Sequence, residues 1–335
     1  MLKEKILSYL MIQAKALKII KPINKLYELK DFSNNIFYLI VGETGGYIIF
    51  DPESGHVYEK SQSFKIPYSF SNEIENFYLG PLWYIEKNNN SIRLLGPEEF
   101  VLNKEEMELL QESFNEVLFK ARNNKNVKSL EYINSDNQIF KMPRAKIVRI
   151  KNYEYIMTNK HPRNHEGSCG FVAASLILYF WYKTKNKQLI SKSYLTPNDE
   201  LNDTRELVSI ENNLKDKLVH INDGDPESWA ATVASCLRVY CLEKNIKCWA
   251  DWKFFKEGLT NSIKRNQPAI FFGLLKKPSN DLSSVGSKLN HAVAVYGYEY
   301  GFWSNNFIVN FGWQDPGEVI LSEYTSGSTA FFKLL

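Results

Sequence analysis

The sequence predicts an α+β protein with two domains, on three observations. The first half is rich in predicted strands and ends in one long amphipathic helix, whereas the second half begins with helices and ends in apolar strands. The length of 335 residues corresponds to two domains of roughly 150 residues each. Hydrophobic residues make up 44% and charged residues 24% of the chain, which is typical of globular proteins.

Charge and composition exclude several classes of protein. Lys and Arg total 41 against 38 Asp and Glu, a formal charge of +3, which is too small an excess to predict a nucleic-acid-binding face. No run of eighteen apolar residues occurs, so we expect no membrane-spanning helix and no membrane partner. Four cysteines are too few for a disulfide scaffold.

Residues 1–140 are predicted to form a small α+β domain. Residues 1–20 have apolar residues at helical spacing, interrupted by Gln13 and Lys15, which favours an amphipathic helix packed on this domain over a secretion signal. The sequence leaves the cellular location open. Strands are predicted at 36–41, 47–50, 56–59, 77–86 and 91–95.

A capping box predicts where the helix of this domain begins. Asn103 is a favourable N-cap and Glu106 follows three residues later, ahead of an apolar stripe at helical spacing. The helix ends in a polar stretch, 123–140, in which we place the boundary to the second domain, 141–335.

The second domain is predicted to alternate buried helices and strands. A strand at 145–150 precedes a polar loop and an apolar helix at 171–183. Asp225 and Pro226 form an N-cap with proline in the first turn, which opens a helix through about residue 242. Buried strands are predicted at 268–275, 291–298 and 307–311.

Cys169 is the candidate nucleophile. It lies between Ser168 and Gly170, directly before the predicted helix. A thiol at a helix N-terminus feels the positive end of the helix dipole, which favours the reactive thiolate. A buried structural cysteine is the alternative that this position leaves open.

Two later residues complete a candidate catalytic set, since a nucleophilic cysteine needs a base and the base needs an orienting partner. His291 begins an apolar strand after a polar loop, a position from which an imidazole can point into a cleft. Asn310 lies at the end of the next strand. We expect its amide oxygen to accept the imidazole N–H, with Trp313 shielding that hydrogen bond from water.

The order Cys169, His291, Asn310 resembles that of the papain-like cysteine peptidases, and within them the streptopain family. Gln267 and Pro268 before a Phe-Phe-Gly strand, then His-Ala-Val and Asn-Phe-Gly-Trp, carry the likeness. The resemblance implies a catalytic domain with a helix-rich half and an antiparallel-sheet half. It also implies hydrolysis of a polypeptide through a thioester, with no cofactor and no metal.

The first half is similar to the pro-domain of the streptopain family. The matching stretches are 37–41, 45–50 and the turn at Asp51-Pro52. The resemblance therefore implies a zymogen, in which residues 1–140 form an inhibitory or accessory domain that contacts the catalytic domain of the same chain and is released by cleavage in the linker.

The chain departs from the family pattern in its oxyanion donor. Papain-like enzymes commonly carry a Gln several residues before the cysteine, and this loop has none. Asn164 is the nearest amide donor, so we expect Asn164 and the Cys169 backbone N–H to hold the oxyanion. Phe311 stands where streptopain-like sequences often carry a Trp.

Other assignments remain open. Asp315 is an alternative partner for the imidazole, as in the Cys, His, Asp set of bacteriocin-leader peptidases, although Gly312 and Trp313 favour Asn310. The same site also suits a transglutaminase-like acyltransferase. A catalytically idle papain fold that acts as a binding or immunity protein is a third possibility, and the first domain has a further possible role as a permanent substrate-recruiting module.

No metal site is expected. His161 and His165 are four residues apart, but a proline between them interrupts any helical pattern. Cys236, Cys241 and Cys248 lack the two-residue spacing typical of zinc sites, and the first two are predicted to lie in a buried helix.

Overall fold

The computed structural model describes most of the chain as two compact units. The described residues are 4, 7–8, 10–11, 26–43, 45–81, 83–89, 91–96, 100–123, 146–158, 169–199, 209–217, 230–254, 257–273, 291–300, 305–312, 317–322, 325 and 327–335. Unit 1 comprises Met1–Lys146, Glu299–Asn306 and Gly317–Thr325, and unit 2 comprises Ile147–Tyr298, Phe307–Pro316 and Ser326–Leu335.

The strands and helices of the described residues are numbered in chain order. The strands are β1 (Tyr27–Lys30), β2 (Ile36–Val41), β3 (Tyr47–Phe50), β4 (Val57–Ser61), β5 (Glu75–Tyr78), β6 (Tyr84–Lys87), β7 (Ile92–Leu95), β8 (Phe100–Val101), β9 (Lys146–Arg149), β10 (Cys248–Phe254), β11 (Ala269–Gly273), β12 (His291–Tyr300), β13 (Asn305–Asn310), β14 (Glu318–Leu321) and β15 (Gly327–Leu334). The α-helices with defined bounds are α1 (Lys104–Arg122), α2 (Glu154–Met157), α3 (Cys169–Thr184), α4 (Ala230–Glu243) and α5 (Leu259–Lys264). Residues 209–217 and the described residues 4, 7–8 and 10–11 are also helical. Within the described ranges, no helix has the length and apolar character needed to cross a membrane.

The predicted α+β class is confirmed. In unit 1 the strand order is β14-β4-β3-β2-β1-β5-β6-β7-β8. Adjacent strands are antiparallel except β1 and β5, which are parallel. Helix α1 covers this sheet, because the ring of its Phe114 contacts the rings of Phe37, Tyr58 and Tyr78.

The helix predicted after Asn103 is observed. Asn103 accepts from the Glu106 N–H and the Glu106 carboxylate accepts from the Asn103 N–H, which is the predicted capping box. Near the N-terminus, Leu10 is helical and fully buried against Tyr38 and Phe50 of the sheet. The described part of the predicted N-terminal helix therefore packs on the sheet at Leu10, and the rest of residues 1–20 lies outside the described residues.

The single strand predicted at 77–86 is wrong, because two strands occupy this region. β5 ends at Tyr78 and β6 begins at Tyr84. The chain turns between them, with Gly80 at φ +108° and the Trp83 N–H donating to the Gly80 carbonyl. Only glycine adopts that backbone conformation without strain, so the turn interrupts an otherwise apolar run.

Unit 2 has a sheet in the order β10-β15-β11-β12, with β9 also pairing with β12. Helix α3 is almost wholly buried, and α4 buries Val233, Leu237 and Tyr240 as predicted. The predicted start of α4 at Asp225 and Pro226 lies outside the described residues. β1, β8, β10, β14 and β15 were not predicted. The sequences of β10 and β15 mix polar and aromatic residues without strict alternation, and β1, β8 and β14 have only two to four residues each.

Glu59 is an acid buried in the aromatic interior of unit 1. Its side chain is fully buried, and the hydroxyls of Tyr47 and Tyr84 are the polar groups that act on its carboxylate. Burial raises the pKa of Glu59 to about 8, and the nearby hydroxyls of Tyr84 and Tyr47, which hydrogen bond to each other at 3.1 Å, oppose the rise only in part. Glu59 is therefore protonated in the folded chain at neutral pH.

We predict that unit 1 loses stability as the pH rises towards 8 and that Glu59→Gln abolishes this loss. Between pH 4.5 and pH 8 the folded chain holds a proton at Glu59 that the unfolded chain releases, so the free energy of unfolding decreases as the pH increases. The decrease attributable to this residue is at most roughly 5 kcal/mol. Hydrogen exchange of peptides that cover β3 and β4, corrected for the intrinsic effect of pH, measures it.

The matched control is Glu75→Gln, because the Glu75 side chain is 68% exposed. This control should keep the pH dependence of the native chain. An equally steep pH dependence in the Glu59→Gln chain would contradict the assignment.

Candidate active site

Cys169 is the first residue of α3, which begins two residues before the predicted start of the helix at 171. The next thirteen residues of the helix, through Tyr182, are buried, so α3 is fixed by apolar packing on all sides. The Cys169 side chain is 6% exposed and is not in a disulfide. The thiol is therefore held at the N-terminal end of a rigid helix, where backbone N–H groups have no partner within the helix.

The thiol contacts the start of β12. The backbone N–H of Ala292 donates to Cys169 Sγ at an N···S distance of 3.2 Å. Because an amide nitrogen lies about 2.4 Å from the Cα of the preceding residue, Sγ lies within about 6 Å of the His291 Cα. This separation is short enough for an imidazole at position 291 to reach the sulfur.

The His291 ring is held by a backbone carbonyl. His291 pairs with Gly273 of β11, and its Nε2 lies 2.9 Å from the carbonyl oxygen of Phe311. A carbonyl oxygen only accepts, so Nε2 carries the proton of this hydrogen bond. In the neutral ring, Nδ1 is then the nitrogen that accepts a proton.

Burial keeps the His291 ring neutral. Removal from water lowers the pKa of His291 to about 4, and the hydrogen bond to the Phe311 carbonyl opposes this change. At neutral pH the side chain is thus a neutral imidazole rather than an imidazolium. This form suits a general base, which accepts a proton during the reaction.

Asn310 organises the turn that carries the Phe311 carbonyl. Its side chain is 3% exposed; Nδ2 donates to the Ile156 carbonyl at 2.7 Å, and Oδ1 accepts from the Gly312 N–H at 2.7 Å. Asn310 therefore ties the end of β13 to helix α2. The hydrogen bond from His291 to the Asn310 amide oxygen remains a prediction.

Gly312 brings this turn against helix α3. Its φ is +71°, and a Cβ built at this position would lie 2.9 Å from Val172 Cγ1, one helical turn after Cys169. A glycine is required here both by the backbone conformation and by the close packing. The helix that carries the thiol and the turn that carries the carbonyl are consequently in direct contact.

The structure thus brings Cys169, His291 and Asn310 into one region of unit 2. Two groups of this region were missed by the sequence analysis, the Ala292 amide and the Phe311 carbonyl. Both are backbone groups, which every residue carries, so no residue pattern reveals them. The remaining predicted or alternative site residues, Asn164, Trp313, Asp315, His161 and His165, lie outside the described residues.

The other cysteines lie in α4 and β10. Cys236 and Cys241 are fully buried in α4, as predicted. Cys241 forms a thiol hydrogen bond with Cys248, which raises the pKa of Cys241 and lowers that of Cys248. In the part of the chain that the structure describes, no group of three or more His, Cys, Asp or Glu is arranged to hold a metal ion.

Comparisons with known proteins yield only distant structural likenesses. No protein-family model matches the chain, and no curated protein matches it. A solved fragment of Prevotella intermedia prointerpain A, an alanine-substituted mutant, is similar at a TM-score of 0.43 and 10% identity, over 91% of this chain and 97% of that one. A candidate C39-like peptidase from Bacillus anthracis is similar at a TM-score of 0.32 and 12% sequence identity. The likeness covers 56% of this chain and 98% of that one. With TM-scores below 0.5, neither likeness establishes a family for this chain.

We predict that His291 titrates near pH 4 in the folded protein, well below the ordinary value of 6.5 for histidine. Between pH 6.5 and pH 4 the unfolded chain binds a proton at this residue and the folded chain does not, so the free energy of unfolding falls as the pH decreases through this window. The NMR titration of the ring protons measures the midpoint. His291→Gln identifies the signal among the five histidines, and a midpoint at or above 6.5 would show that burial does not control the ring.

We predict that Gly312→Ala destabilises unit 2 more than Gly258→Ala does. Both glycines have positive φ, so either substitution costs about 1 kcal/mol of backbone strain. At Gly258 the nearest atom to a built Cβ is a Phe331 ring carbon at 3.7 Å, an ordinary contact, whereas the Val172 methyl at Gly312 adds about 1–3 kcal/mol of overlap. Urea denaturation followed by circular dichroism measures both costs.

A second substitution separates strain from overlap. Val172→Ala should recover part of the loss in the Gly312→Ala background and none in the Gly258→Ala background. Equal destabilisation by the two glycine substitutions would mean that the turn is not packed on α3.

Proposed function

We propose that the chain is a cysteine peptidase in which Cys169 is the nucleophile, His291 the general base and Asn310 the orienting residue. The observation that carries the proposal is the 3.2 Å contact between Cys169 Sγ and the Ala292 amide, because it puts the thiol beside the residue that carries the imidazole. The neutral state of His291 and the N-terminal position of the thiol on α3 support the same assignment.

The first step of the proposed reaction forms an acyl-enzyme. His291 Nδ1 accepts the Cys169 thiol proton, and the sulfur attacks the carbonyl carbon of the scissile peptide bond. The resulting oxyanion is stabilised by N–H donors, and His291 returns the proton to the leaving amine as the C–N bond breaks. The product is a thioester on Cys169 and a free amine.

The second step regenerates the thiol. His291 removes a proton from a water molecule, which attacks the thioester carbon and releases a carboxylic acid, and the proton returns to sulfur. Since burial favours the neutral imidazole, the resting state in this proposal is a thiol beside an imidazole rather than a thiolate beside an imidazolium. The proton transfer therefore accompanies attack on the substrate.

The proposal assigns Asn310 an orienting role through the backbone. Its Oδ1 bond to the Gly312 N–H fixes the turn in which the Phe311 carbonyl holds His291 Nε2. For the oxyanion we retain the sequence-based assignment of Asn164 with the Cys169 backbone N–H, and Trp313 as the residue that shields the histidine. A polypeptide is the proposed substrate, and residues 1–140 are the proposed pro-domain-like inhibitory or accessory domain.

We predict that Cys169→Ala abolishes hydrolysis of a mixed peptide substrate and leaves the circular dichroism spectrum unchanged. Removal of the nucleophile removes the sulfur on which the acyl-enzyme would form. The measurement is made on the full chain and on chain cut between residues 123 and 146. Cys248→Ala, in the partly exposed cysteine of β10, is the control and should remain active.

Turnover that persists in the Cys169→Ala chain would contradict the proposal. Product analysis by mass spectrometry in the presence of a competing amine distinguishes a peptidase, which transfers the acyl group to water, from an acyltransferase, which transfers it to the amine. Free carboxylic acid as the main product supports a peptidase, whereas an amide of the added amine identifies an acyltransferase. Absence of both from the native chain, before and after the cut, would favour a binding protein.

A further inference from the structure

Two late segments of the chain belong to unit 1. Glu299–Asn306 and Gly317–Thr325 are grouped with the N-terminal residues, although the chain reaches them only after most of unit 2. β14, in the second segment, pairs antiparallel with β4, with Val319 opposite Ser61 and Leu321 opposite Glu59. Val319 is fully buried and Leu321 is 2% exposed, so this strand belongs to the interior of unit 1.

A buried ion pair joins the first late segment to β4. Lys60 Nζ lies 2.7 Å from Glu299 Oε1, and the two side chains are only 12% and 7% exposed. The second carboxylate oxygen of Glu299 accepts from Asn306 Nδ2 at 3.0 Å. Removal of one partner would leave the other charge buried and unpaired. Loss of either residue should therefore strongly weaken the contact between this segment and β4.

Three further hydrogen bonds join the second late segment to β4 and the turn before it. His56 Nε2 lies 2.7 Å from Ser322 Oγ, and the Ser322 N–H donates to the Tyr58 carbonyl at 2.9 Å. Ser61 Oγ donates to the Glu318 carbonyl at 2.7 Å. The contacts thus combine a strand pair, an ion pair and side-chain hydrogen bonds, most of them shielded from water.

We propose that these two segments form a docking surface for the N-terminal part of the chain, residues 26–123, and that a cut between 123 and 146 leaves this part bound. The N-terminal part is then retained as a second chain of unit 1. Release would require β4 to separate from β14 and the Lys60–Glu299 pair to be broken.

The consequence for the candidate active site rests on the proposed function. Phe307–Pro316, the stretch that includes Asn310 and Phe311, lies in the chain between the two docking segments. Retention of residues 26–123 therefore anchors both ends of the stretch that holds the His291 ring. In this account a linker cut alone does not discard a pro-domain, and the N-terminal part supports the site after cleavage.

The test is size-exclusion chromatography of a cut chain. A recognition sequence for a specific protease replaces part of 124–145, the Cys169→Ala background prevents self-digestion, and the cut protein is run at micromolar concentration without denaturant. We expect both fragments to elute together at the volume of the uncut chain. Separate elution of the fragments would overturn the proposal, and since no substrate is used, this result is independent of whether the chain is a peptidase.

A charge reversal tests the surface itself. Lys60→Glu places a carboxylate against Glu299 and should speed dissociation of the cut chain about tenfold or more. Lys87→Glu is the matched control, because Lys87 pairs only loosely, at 3.6 Å, with the exposed Glu75 of the same N-terminal part, and it should leave the rate unchanged. Equal rates in the two variants would contradict the assigned surface.

A milder variant covers the case in which uncut Lys60→Glu protein does not fold. Ser322→Ala removes only the hydroxyl that lies beside His56 Nε2 and should also speed dissociation of the cut chain relative to Lys87→Glu. An unchanged rate in the Ser322→Ala chain would then count against the docking surface.

Discussion

The candidate site depends on one contact, between the sulfur at the start of α3 and the amide at the start of β12. The Ala292 N–H donates to Cys169 Sγ at 3.2 Å, which joins the end of a buried helix to the end of a buried strand. Both elements are fixed by apolar packing along their lengths, so their ends have little freedom to move apart. The hydrophobic core of unit 2 therefore fixes the positions of the Cys169 thiol and of the residues at the start of β12.

A second set of contacts fixes the position of the His291 ring in the same region. Asn310 ties the end of β13 to α2, Gly312 packs on Val172 of α3, and the Phe311 carbonyl between them holds His291 Nε2. Each contact uses a short or buried group that tolerates little displacement. Together they give the imidazole a defined tautomer, whereas it is burial that keeps the ring neutral, because the hydrogen bond to the Phe311 carbonyl raises the pKa of His291.

The sequence predicts the elements with strong periodicity and misses those shaped by tertiary pairing. The capping box at Asn103 and the all-apolar segment after Cys169 fix their helices locally, and both are observed. β10 and β14 are strands because partners lie beside them, which a single sequence does not encode. For the same reason the grouping of Glu299 with Lys60 was not foreseen, and the backbone amide and carbonyl of the site carry no residue signature.

The most direct test of the central contact is disulfide trapping between positions 169 and 291. Because a disulfide joins Cα atoms no more than about 7 Å apart, a His291→Cys chain treated with a mild oxidant should form a bond from the introduced thiol to Cys169, detected by mass spectrometry of the peptides. Val295→Cys, four residues or about 13 Å further along β12, should not. Failure of the His291→Cys chain to form this bond, or its formation at equal rates in both chains, would contradict the convergence of thiol and imidazole.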